Sequence, residues 1–217
     1  MLKLYDEGVI HEILAVGLLE CNCSIFGDEE TREAIVIDPG DDVSRIVQIL
    51  ERHQLKVKAI VITHGHIDHV MGANKLRELS GAPVYMNQRD ADMLDALPLQ
   101  ASWLGVDTPE RPPVDTDAVD GTTITLANAR FHVMHTPGHT PGSSSVWIPE
   151  ENKLVAGDTL FRDSVGRTDL PGGNSRRLLS SIKTRLYELP DETVVIPGHG
   201  ANTTIGREKE HNPFVRG

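Results

Sequence analysis

The run His64-Gly65-His66-Ile67-Asp68-His69 follows directly on the apolar segment KAIVIT (58–63), and it constrains this chain more than any other feature. KAIVIT is short and rich in β-branched residues, which suits a strand buried on both faces. His64 and His66 are two apart, so an extended segment leaving that strand points both rings the same way. Asp68 and His69 fall at the turn into a helical pattern (70–79) and can face elsewhere. One loop can therefore serve two adjacent metal ions. A solvated His-rich turn is the plain alternative, and it gives no reason for the loop to follow a buried strand.

Three further segments repeat the arrangement. In His135-Thr136-Pro137-Gly138-His139-Thr140-Pro141-Gly142, two Pro-Gly pairs fix the backbone around His139, the rigidity a metal ligand needs. His135 ends the preceding strand and reads as a structural histidine. Ala156-Gly157-Asp158-Thr159 ends a strand in an aspartate, which alone would suggest a cap or turn. Pro197-Gly198-His199-Gly200 again delivers a histidine on a turn. Singly these are weak signals. Together they place each donor after a predicted strand end, where loops of a sandwich converge.

Strands are predicted at 9–16, 33–38, 58–63, 122–126, 129–135, 144–148, 153–156 and 193–196. Helices are predicted at 42–53, 70–79 and 174–189, the first with Val43, Ile46, Val47 and Leu50 on one face. Residues 87–117 differ in character: a short helix (89–97) precedes a stretch around Pro109, Pro112 and Pro113, read as an insertion or lid over the core. The order predicts a mixed α/β (α+β) fold, two packed sheets flanked by helices, in one domain over 1–217.

Composition narrows the function. The net charge is −11 and no run of Lys or Arg offsets it, which excludes a nucleic-acid backbone as partner. No apolar stretch approaches the roughly 20 residues that span a bilayer, so no membrane role is expected. Asp6, Glu7 and Glu12 interrupt any signal-peptide core. Cys21 and Cys23 are too close for an ordinary disulfide and too few for a zinc knuckle, and they fit a reducing, cytoplasmic location.

The set THGHIDH, TPGHTPGS, AGDTLF and PGHG resembles the metallo-β-lactamase fold superfamily, and within it the short glyoxalase II-like (hydroxyacylglutathione hydrolase-like) hydrolases. The likeness runs from Asp38-Pro39-Gly40 to His199. It implies an αββα sandwich with two divalent ions: His64, His66 and His139 on one, Asp68, His69 and His199 on the other, and Asp158 bridging. Such donors suit zinc or iron, with manganese also admissible. The implied chemistry is attack of a metal-bound hydroxide on a small-molecule thioester of the S-lactoylglutathione type, with Asp68 as proton acceptor. No Ser or Cys nucleophile is needed, and neither cysteine lies near the motifs in sequence.

Gly166-Arg167-Thr168-Asp169 is similar to a loop shared by short glyoxalase II-like proteins and persulfide dioxygenases, and His211-Asn212-Pro213-Phe214 also resembles the short subgroup. Arg167 and Asp169 are thus candidate substrate-binding residues, Arg167 receiving an anion. The competing reading is a structural Arg167–Asp169 pair. Only 18 residues follow His199, short of the helical domain that completes the glutathione site in full-length glyoxalase II. The 87–117 segment, or a second copy in a homo-oligomer, could wall the pocket instead. The alternative from another class is a mononuclear iron persulfide dioxygenase-like oxygenase using His64, His139 and Asp158. Secreted β-lactamase activity is disfavoured for want of a signal peptide, and ribonuclease activity by the acidic charge.

Overall fold

The computed structural model describes residues 9–217; Asp6 and Glu7 lie outside them. The described residues open with the antiparallel pair β1 (Val9–Val16) and β2 (Cys21–Asp28), continue through β3 (Glu33–Ile37) and α1 (Val43–Arg52), and return as β4 (Lys56–Val61) parallel to β3. Then come α2 (Ile67–Val70), α3 (Ala73–Ser80), β5 (Val84–Met86), α4 (Ala91–Asp95), α5 (Leu97–Leu104) and β6 (Thr116–Asp117). These strands form one sheet in the order β1-β2-β3-β4-β5-β6.

The second half carries β7 (Thr123–Leu126), β8 (Ala129–His135), β9 (Ser144–Ile148), β10 (Lys153–Gly157), β11 (Leu160–Phe161) and β12 (Ser164–Val165). It ends with α6 (Ser175–Thr184), β13 (Val194–Pro197), β14 (Thr203–Thr204) and α7 (Ile205–His211). Its main sheet runs β14-β13-β10-β9-β8-β7, and β11-β12 is a separate small hairpin.

Alternation along the strands sets the layers. In β3, Ala34 and Val36 join Ile46 and Leu50 of α1 on the outer face, while Ile35 and Ile37 face the other sheet. There they meet Phe131, Val146 and Ile196, with Phe26 and Phe131 edge-to-face at 5.1 Å. On the far side, Leu178 and Ile182 of α6 cover Leu154 and Val195. The result is the expected αββα arrangement, helices outside two facing sheets. Among the described residues no helix is long and apolar enough to cross a membrane.

Several boundaries differ from expectation. β2 went unpredicted because every residue in it is buried, so Asn22 and Ser24 blur any alternation. The helix expected at 70–79 begins at Ile67 and breaks at Gly72, whose N–H donates to the Pro39 carbonyl at 2.9 Å; a Cβ there would meet Val43 at 2.8 Å. Residues 87–117 hold a second helix, α5, with Pro98 in its first turn, where a missing N–H costs nothing. The helix expected to reach Leu189 stops at Thr184 and passes into a 3₁₀ turn.

Candidate metal centre

The ends of β4, β8, β10 and β13 lie along one edge of the sandwich, and the loops leaving them converge. His64 follows β4, His139 follows β8, Asp158 follows β10 and His199 follows β13, as strand ends in the sequence suggested. The close approach has a steric condition at Gly198, where a Cβ would fall on the Asp158 carboxylate and sit 2.8 Å from His69 Cε1.

The donors form two groups. His66 Nδ1 lies 3.1 Å from His64 Nε2 and 2.8 Å from His139 Nε2, and the last two are 3.2 Å apart. His199 Nε2 lies 3.3 Å from His69 Nε2 and 3.1 Å from Asp68 Oδ2. Asp158 stands between them: its Oδ1 is 3.4 Å from His69 Nε2, and its Oδ2 is 3.5 Å from His139 Nε2. Asp158 Oδ1 is buried and has no hydrogen-bond partner. Imidazole lone pairs facing one another, with an unpartnered buried carboxylate oxygen beside them, call for a cation. The residues present fit two ions sharing Asp158, each group's ligand atoms lying within 4.8 Å of one another.

The far nitrogens explain which atoms face inward. His139 Nδ1 donates to the Arg167 carbonyl at 2.8 Å, and His199 Nδ1 donates to the Leu19 carbonyl at 2.8 Å. A carbonyl only accepts, so Nδ1 carries the hydrogen and Nε2 presents its lone pair to the cluster. His69 Nδ1 lies 2.9 Å from Asp38 Oδ2. Asp38 in turn accepts from Thr63 N–H and Thr63 Oγ1, both at 2.7 Å.

Electrostatics divide the groups. Burial, then the neighbouring imidazoles, pushes the pKa of His64 well down and that of His66 down to about 4, so both stay neutral and competent as ligands. Burial also opposes charge on His69, but the carboxylates of Asp68, Asp38 and Asp158 raise its pKa. His199 is likewise raised, burial being outweighed by Asp68 and Asp158. A place that attracts a proton this strongly attracts a metal cation for the same reason.

Three findings correct or extend the sequence reading. Cys21, remote from the motifs in sequence, places its Sγ 3.5 Å from His69 Nδ1, because β2 runs beneath the centre. Burial pushes its thiol up to about 11, so it supplies no thiolate nucleophile at neutral pH. Asn22 was missed: its Nδ2 donates to the carbonyls of Pro197 and Gly200 at 3.0 and 2.9 Å, clasping the His199 loop. Asp90, also missed, is fully buried. It accepts from Gly65 N–H at 3.0 Å, Thr140 Oγ1 at 2.6 Å and Gly142 N–H at 2.5 Å, tying the His64–His66 loop to the His139 loop.

Arg167 and Asp169 stand at the mouth, exposed, in a bidentate pair at 2.7 and 2.8 Å. His135 lies outside the cluster, its Nε2 donating to the Pro141 carbonyl at 2.9 Å. Above the donors opens a cavity of about 450 Å³ walled by Leu19, Trp103, Leu104, Arg167 and Leu170, within the size range of small-molecule sites.

Known proteins are similar to this chain in sequence and fold. A family model described as the metallo-beta-lactamase superfamily matches residues 16–199. The chain is 38% identical to the hydroxyacylglutathione hydrolase GloC of Haemophilus influenzae, over 94% of this chain and 97% of that protein. Among solved structures it is similar to the BLEG-1 B3 metallo-beta-lactamase, with TM-score 0.89 and 36% identity over 96% of this chain and all of that one. It is also similar to TTHA1623 in a di-iron-bound form, with TM-score 0.84 and 37% identity over 94% of this chain and all of that one. With a family match over most of its length and a relative 38% identical across nearly the whole chain, this protein belongs to the metallo-β-lactamase superfamily of metal-binding hydrolases.

Proposed function

We propose that this chain is a binuclear metallohydrolase that cleaves a small-molecule thioester, of the S-lactoylglutathione type, to a carboxylic acid and a thiol. The observation that carries this is the pair of three-donor groups joined by Asp158, one of whose oxygens is buried without a partner. Two divalent ions, zinc or iron, would there lower the pKa of a shared water and polarise the acyl carbonyl. His64, His66 and His139 would hold one, Asp68, His69 and His199 the other, with Asp158 between. The protein's own groups supply proton handling: burial opposes charge on Asp68, but His69 and His199 outweigh it and hold the carboxyl well below the usual range. It is therefore ionised at neutral pH, ready to hold a cation and to orient an attacking water by accepting its hydrogen bond, though so low a pKa makes it a weak base. The resemblance to a hydroxyacylglutathione hydrolase supports the thioester as substrate.

A second reading, hydrolysis of a β-lactam amide, draws on the resemblance to BLEG-1. The deciding experiment is metal quantitation on freshly purified protein, with thiol release from S-lactoylglutathione, nitrocefin hydrolysis and oxygen uptake followed in parallel. Two ions per chain and thiol release without oxygen uptake are expected. One iron per chain with no thioester cleaved would refute the proposal, and oxygen uptake on a persulfide would point to the oxygenase using His64, His139 and Asp158.

A further inference from the structure

The segment between β5 and β6 does more than cover the core. Its inner residues Leu94, Leu97 and Ala101 are buried. Yet α5 also turns Leu99 and Trp103 outward, four apart on one helix face, at 53% and 56% exposure. Large apolar side chains placed side by side at a surface mark a binding site more often than isolated ones do. Here they line a cleft of about 340 Å³, together with Met93, Pro141, Leu170 and Pro171.

The cleft is continuous with the metal centre. His66, Gln100, Trp103 and Leu170 line both the cleft and the cavity above Asp68, His139, Asp158 and His199. With His66 neutral, its charged residues are Arg89 and Asp92. The nearby guanidinium of Arg167 is already held by Asp169. Glutathione carries two carboxylates and an ammonium group, and these walls offer it few partners. Biological thiol carriers bring amides and charges, so the apolar half of a thioester is its acyl chain.

Resting on the thioester reading of the centre, we infer that this cleft is an acyl-chain subsite. It would lay an unbranched apolar chain between Trp103 and Leu170, with the scissile carbonyl at the His66 end, and so favour medium-chain acyl thioesters over S-lactoylglutathione.

The test keeps the thiol constant and varies the chain. With N-acetylcysteamine thioesters from acetyl to octanoyl, kcat/KM is expected to rise about two- to fourfold per methylene until the cleft is filled. Leu99→Glu should collapse the octanoyl-to-acetyl ratio. A second readout needs no turnover: in Trp147→Phe protein, whose remaining indole is Trp103, the uncleavable S-octyl-N-acetylcysteamine should shift the emission saturably, and Leu99→Glu should weaken that shift. A flat chain-length profile, or an emission unmoved by the thioether, overturns the inference. So does a dimer in solution that already buries Trp103. If the thioether binds but no thioester is cleaved, the thioester reading fails and the cleft stands as an apolar-chain site.

Discussion

Asp38 Oδ2 and His69 Nδ1 face each other at 2.9 Å beneath the centre, and neither side chain is more than 1% exposed. The contact fixes which nitrogen of His69 points at Asp68, His199 and Asp158. Asp38→Asn should lower the affinity for one ion by about 10–100-fold, the usual loss when a ligand histidine loses its outer carboxylate. Competition against a chromophoric chelator reads this directly. Unchanged affinities for both ions would mean that other contacts orient His69.

Asp90 predicts a loss of stability rather than of chemistry. Asp90→Ala would strand the buried N–H groups of Gly65 and Gly142, while Thr140 keeps the Ser143 hydroxyl as a partner, and each unsatisfied group costs about 1–3 kcal/mol. Allowing for partial relaxation, urea unfolding should show a loss of about 3 kcal/mol. A loss below about 1 kcal/mol would show that water replaces the carboxylate.

These two residues also mark the limits of the sequence. His64, His66, Asp68 and His69 were legible because one loop of six residues follows a buried strand, and His139, Asp158 and His199 because each lies in a loop that follows a strand of its own. Asp90 was not, since two of its three donors are backbone N–H groups, which no residue type announces. β2 hid because burial on both faces erases alternation, and with it went the approach of Cys21 to His69. α5 hid because its apolar residues point both inward and outward, so no single stripe appears.

His11 should make the fold acid-sensitive. Its ring stacks on Phe26 at 3.9 Å, its Nε2 is buried without a partner, and burial, aided by Lys153, lowers its pKa from 6.5 to about 3. Below pH 6.5 the unfolded chain binds a proton that the folded one refuses, so stability falls as pH drops from 6.5 towards 3. The slope from this residue is at most about 1.4 kcal/mol per pH unit. His11→Phe should flatten unfolding free energy against pH between 6.5 and 4.5. An unaltered slope would place the acid sensitivity elsewhere.

Chelation should lower Tm. An ion present at 100 times its Kd stabilises the folded state by about 2.7 kcal/mol, and a domain of this size shifts by roughly 2–4 °C per kcal/mol. Removing each ion should therefore cost about 5–10 °C by calorimetry, restored by adding metal back. A Tm indifferent to chelator and metal would contradict binding at the centre.

The donors are divided between the two sheets: residues 64–69 follow β4 of the first, while His139, Asp158 and His199 follow strands of the second. The order in which a ribosome delivers these parts matters. Four donors emerge together, in the first third of the chain, long before any partner from the second sheet exists. A metal ion could be recruited there and carried into the folding of the remainder, but full coordination waits until β13 has docked. Loading with metal would then report that β13, and with it the loop carrying His199, has found its place.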